Sequence, residues 1–119
     1  MITVEFFHSP RGELIGFHAA GHSGYAERGY DIVCAAVSAL TLTVTKGLIE
    51  QVGLNPTVRQ GPGELFCRID NYGALSPGEK HAADLLLQTL LGGLKEIVDQ
   101  YPDFVRLRLE RRPDPNATL

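Results

Sequence analysis

Asp31-Ile32-Val33-Cys34-Ala35-Ala36-Val37-Ser38-Ala39-Leu40-Thr41-Leu42-Thr43-Val44-Thr45 admits two secondary structures, and the choice between them decides the fold. Leu40, Leu42 and Val44 alternate with Thr41, Thr43 and Thr45, which has the two-residue period and β-branched chemistry of a strand. Val33, Val37, Leu40, Val44 and Leu48 form instead an i, i+3, i+4 stripe, and Asp31 is a good N-cap. Length decides: the run lasts roughly 20 residues before Gly53, whereas strands are usually ~5–6 residues long. The segment reads as a helix beginning at Asp31.

Working back from it, Ser23 to Tyr30 is a loop with glycines at 24 and 29, free to move and to let a substrate backbone approach. Before the loop, Glu13 to Ala20 reads as a strand running into His22. Ile15, Phe17 and Ala19 share one of its faces; Leu14, Gly16, His18, Ala20 and His22 share the other. Ser9-Pro10-Arg11-Gly12 turns it back on a first strand, Ile2 to His8, with Ile2, Val4 and Phe6 on one side.

Working forward, Thr57 to Gln60 and Glu64 to Asp70 flank Gly61-Pro62-Gly63 as a second hairpin. Ser76-Pro77-Gly78-Glu79 is a capping box with proline at the first helical position, and the helix runs until Pro102. Gly92-Gly93 inside it costs ~1 kcal/mol per residue relative to alanine, which predicts close packing there. Phe104 to Glu110 alternates again, with Val105, Leu107 and Leu109 inward. The order is ββαββαβ, an α+β fold with an antiparallel or mixed sheet and two helices on one face. Residues 1–110 form one domain, and 111–119 read as a disordered tail.

Composition narrows the function. A chain of 119 residues with 44% hydrophobic and 21% charged residues is an ordinary globular domain. A net charge of −3 argues against a broad nucleic-acid surface, although Arg106, Arg108, Arg111 and Arg112 could form a local basic patch. No apolar run is read as reaching the ~20 residues that cross a bilayer, and the N-terminus lacks the regions of a signal peptide. With two cysteines far apart, the expectation is a reduced, cytoplasmic protein with no disulfide framework. No Cys-x-x-Cys or comparable ligand spacing suggests a metal, and no phosphate-binding loop suggests a nucleotide, so no cofactor is expected.

Chemistry concentrates around Cys34. A thiol at a helix start feels the positive end of the helix dipole, which favours the thiolate that attacks carbonyl carbon, and first-turn amides can face a developing oxyanion. A small buried residue at a helix start fits the same position. His22, at a strand end one loop away, is the candidate base; thiol chemistry requires it within ~2.6–3.2 Å, or somewhat further without substrate. His18 lies four strand residues, ~13 Å, from His22 and reads as structural. Asp31 can cap the helix and orient His22. Ser38, one turn below Cys34, can line the pocket or bond locally. Cys67 shares a strand face with Leu65 and Ile69 and reads as core.

Gly21-His22, a loop, then Gly29-Tyr30-Asp31-Ile32-Val33-Cys34-Ala35-Ala36-Val37-Ser38 resembles the ribosomal-processing cysteine proteases (Prp), and the element order fits through about Glu110. Ser23 departs from the pattern, which more often has alanine after the histidine. The resemblance implies a cysteine endopeptidase with Cys34 as nucleophile and His22 as base. It also implies a homodimer whose substrate is a bacterial large-subunit ribosomal protein precursor, trimmed of a short N-terminal extension. The leucines at 85, 86, 87, 90, 91 and 94 exceed one helical stripe and fit an interface. Two alternatives remain: a thiol hydrolase of small amides or esters, and a non-catalytic ribosome-assembly binding module.

Overall fold

The computed structural model describes residues 1–113. Strands β1 (Ile2–His8) and β2 (Leu14–Gly21) form the first hairpin, and β3 (Thr57–Gly61) and β4 (Glu64–Arg68) the second. Helix α1 (Ile32–Lys46) joins the hairpins; α2 (Pro77–Gln100) leads from β4 to β5 (Val105–Pro113). The sheet order is β3-β4-β2-β1-β5. Its pairs are antiparallel except β1 with β5, so the sheet is mixed. A 24-residue helix, about 36 Å long, carries the chain back along the sheet and lets β5 enter parallel to β1.

Alternation decides which face is covered. Val4, Phe6, Ile15, Phe17 and Cys67 are fully buried beneath the helices, together with Leu87, Leu90 and Leu94 of α2. The opposite residues, Phe7, His18 and Phe66 among them, cluster on the sheet's other face, with the Arg59 guanidinium 4.3 Å from the centre of the Phe66 ring.

The α1 stripe differs from the sequence reading at one turn. Thr41, only 1% exposed, takes the core position beside Val37 and Val44, and its hydroxyl donates to the Val37 carbonyl at 2.8 Å. Back-bonding hides the polar atom, while Leu40 turns to α2. A Cβ on Gly93 would lie 3.1 Å from Leu40 Cδ1, which is the close packing expected there; at Gly92 there is open space. Gly47 meets Leu86 in the same way, and from it the helix widens into a π-helical turn, Gly47–Gln51. By length and composition Ile32–Gln51 could cross a membrane, which corrects the expectation that no run qualifies. Here Val33, Val37, Val44 and Leu48 are buried in the protein core.

At the C-terminal end, Val105 is buried but Leu109 is 42% exposed, so the inward stripe of β5 ends at Leu107. The strand continues to Pro113; the rest of the 111–119 tail lies outside the described residues.

Candidate active site

The cap fixes the position of the thiol. Asp31 has extended backbone (φ −86°, ψ 99°), and its Oδ1 accepts the Cys34 N–H at 2.9 Å, satisfying one orphan amide of the first turn. Cys34 is half-buried, and its Sγ accepts the Ser23 N–H at 3.4 Å. Ser23 is buried; its hydroxyl donates to Asp31 Oδ2 and accepts the Tyr25 N–H at 3.1 Å. Burial by itself would raise the Asp31 carboxyl. Hydrogen bonds from the Ser23 hydroxyl, the Cys34 amide and thiol, and the Ala26 amide outweigh it and hold the group at about 2.

The second hairpin sets the place of the imidazole. β2 ends at Gly21, where φ is 104° and a Cβ would fall 2.3 Å from the Met1 carbonyl oxygen, so only glycine fits. The Gly21 N–H donates to the Gly63 carbonyl at 2.9 Å, tying the strand end to the β3–β4 turn. The exposed His22 ring lies against that turn: a Cβ on Gly63 would meet Nε2 at 2.8 Å and Cε1 at 2.9 Å.

His22, Asp31, Cys34 and Ser38 line one cavity of about 640 Å³, with Arg28 from the loop and Glu64 from the hairpin. Among the described residues no hydrogen bond joins His22 to Cys34 or Asp31. The cap read for Asp31 is in place; its oxygens go to Cys34 and Ser23. Gly24 (φ 75°) and Gly29 (φ 92°) bend the loop along the cavity. Tyr25 anchors it by edge-on contacts to Tyr101 and Phe104, centroids 5.6 and 5.4 Å away.

The rival residues lie elsewhere. His18 sits beside Phe66 with its Nε2 3.3 Å from the Glu64 carboxylate. Cys67 is fully buried, and burial pushes its thiol up to about 11 against a hydrogen bond with Thr45. Sequence reasoning missed two contributors. Gly61-Pro62-Gly63 was legible as a turn but not as the surface under His22, and Ser23 only as a departure from a pattern. The Cys34 amide is taken by the Asp31 cap, and the donor aimed at the sulfur is the Ser23 amide. A thiol met by a backbone N–H, with an imidazole on the same cavity, is equipment for nucleophilic attack on a carbonyl.

Comparison with known proteins agrees. Residues 1–106 match the family described as Cysteine protease Prp. The chain is 28% identical over 107 residues to the ribosomal processing cysteine protease Prp of Bacillus subtilis, covering 90% of this chain and 96% of the relative. The Prp of Staphylococcus aureus (strain Mu50) is equally similar, with 90% and 97% covered. A crystal structure of S. aureus Prp, an essential ribosomal processing protease, with a covalently linked product peptide superimposes with a TM-score of 0.81. The two chains are 28% identical, with 92% of this chain and 100% of the other covered. A second structure, with a substrate peptide, gives 0.75 at 27% identity over the same shares. The chain belongs to the family of the ribosomal-processing cysteine protease Prp, and it is a cysteine protease.

Proposed function

We propose that Cys34 and His22 form the catalytic dyad, and that the substrate is a bacterial large-subunit ribosomal protein precursor from which a short N-terminal extension is removed. The observation that carries this reading is the shared cavity, with the thiol on the first helical turn and the imidazole against the β3–β4 turn. Cys34 Sγ attacks the scissile carbonyl; His22 takes the thiol proton and gives it to the leaving amine; water then releases the acyl group from sulfur. The Ser23 amide and unpaired amides of the first turn stabilise the oxyanion. His22 turns from Gly63 toward the thiol once a peptide fills the cavity, and the Ser23–Tyr30 loop, hinged at Gly24 and Gly29, closes over it. Catalytic hydrogen bonds are often long before substrate binds, which agrees with the separate His22.

The protein acts in this reading as a cytoplasmic homodimer, without direct nucleic-acid or membrane contact. Leu85 and Ile49, 55% and 43% exposed, flank the Gly47–Leu86 contact on the helical layer and support a second copy there. Two unpaired cysteines suit a reducing compartment. Incubation with the extended ribosomal protein, read by intact mass, tests the reading: one cut releasing the extension is expected. Turnover of small esters with no peptide cut points to a small-molecule thiol hydrolase, and binding without turnover to an assembly module.

A further inference from the structure

We propose that Ser23 is a positioning residue for the thiol: its hydroxyl binds Asp31 Oδ2, tying the strand end that carries His22 to the helix start that carries Cys34, and so holds its own amide on Cys34 Sγ. The inference rests on Cys34 as the nucleophile. Ser23 makes three bonds at once, two through its hydroxyl, to Asp31 and the Tyr25 amide, and one through its own amide, to Cys34 Sγ. Asp31 closes the ring by accepting the Cys34 N–H. The residue is 4% exposed, so the hydroxyl oxygen is held by protein partners rather than by open solvent.

The ring matters because the Ser23 amide is the donor aimed at Cys34 Sγ. A hydrogen bond to the sulfur favours the thiolate, whereas the negative charge of Asp31 beside it disfavours the thiolate. With the hydroxyl on Asp31 the amide is held in place. Without it, the amide loses the anchor that aims it at sulfur. The other charged or titratable groups on the cavity are His22 from the strand end, Arg28 from the loop and Glu64 from the hairpin. Ser23 is hydrogen-bonded to none of these.

The test is the alkylation rate of Cys34 against pH in the full chain, with Cys34 and Cys67 separated by peptide mapping. Ser23→Ala should move the rising limb up by about one pH unit, slowing neutral-pH labelling about tenfold, with the rate recovered in alkali. Ser23→Thr should retain the wild-type profile. In an Asp31→Asn background Ser23→Ala should add nothing. A Ser23→Ala profile that superimposes on wild type, even with a lower melting temperature, overturns the proposal; so do additive effects of Ser23→Ala and Asp31→Asn. Should Ser23→Ala fail to melt cooperatively, Ser23→Thr against Ser23→Val makes the same comparison, differing only in the hydroxyl. A wild-type Cys34 no more reactive than Cys67 overturns the nucleophile itself, whatever Ser23 does.

Discussion

Cys34 and Cys67 have the same side chain in opposite surroundings: one borders an open cavity on a first helical turn, the other is fully enclosed between β2, β3 and the helices. Iodoacetamide near neutral pH should therefore modify Cys34 much faster, since only a reachable, ionised sulfur reacts. Equal labelling, measured by mass spectrometry of the two peptides, would contradict the assignment. Asp31 gives a second check. Its folded value of about 2 lies below the ordinary 3.8, so its contribution to stability is present above about pH 4 and is lost as pH falls through 2. Asp31→Asn cannot make that contribution. The difference in Tm between wild type and Asp31→Asn should shrink from about pH 4 to about pH 2; a constant difference would mean that Asp31 ionisation plays no part in holding the cap.

The two hairpins and two helices were legible because their signals are local: a capping box at Ser76, an aspartate cap at Asp31, and alternation in β1 and β2. Contacts made across the sheet were not. Gly63 lies under His22 only because the β2 end pairs with the β3–β4 turn, 42 residues along the chain. Likewise nothing local distinguished Thr41 from Leu40 as the core position, since back-bonding to Val37 makes a threonine compatible with the core. The turn's role has a direct consequence. Gly63→Ala would push the His22 ring aside and force alanine to φ 67°, a cost of ~1–2 kcal/mol. The kcat/KM should fall at least about tenfold while the protein still melts cooperatively; unchanged turnover would mean that the resting contact with Gly63 does not set where His22 starts its swing to the thiol. Gly24 and Gly29, at φ 75° and 92°, exclude proline, whose φ is fixed near −65°. Loop motion is therefore better followed by amide exchange of residues 23–30 in Cys34→Ala protein. A non-cleavable peptide should slow it; exchange already slow without peptide and unchanged by it would remove the lid.

At the scale of the whole molecule, one sheet face is covered by two helices, and the site forms where β2, the second hairpin and the start of α1 converge at one end of that layer. In the proposed reading fold and thiol chemistry are one design: the strand end delivers the base, the helix start the nucleophile, and the intervening loop borders the cavity. The helical layer keeps Leu85 and Ile49 exposed, and Leu85→Glu should shift the mass in solution from dimer to monomer by light scattering. A monomeric wild type would locate that apolar surface outside any self-association. The central claim is the pairing of His22 with Cys34 in cleavage of the extended ribosomal protein. Its most direct test is kcat/KM for Cys34→Ala, His22→Ala and His18→Ala, read by product mass on that precursor. Cys34→Ala should abolish the cut, His22→Ala should slow it by ~10²–10⁴-fold, and His18→Ala should leave it near wild type. Cleavage that survives Cys34→Ala, or that is damaged by His18→Ala and spared by His22→Ala, would contradict the account.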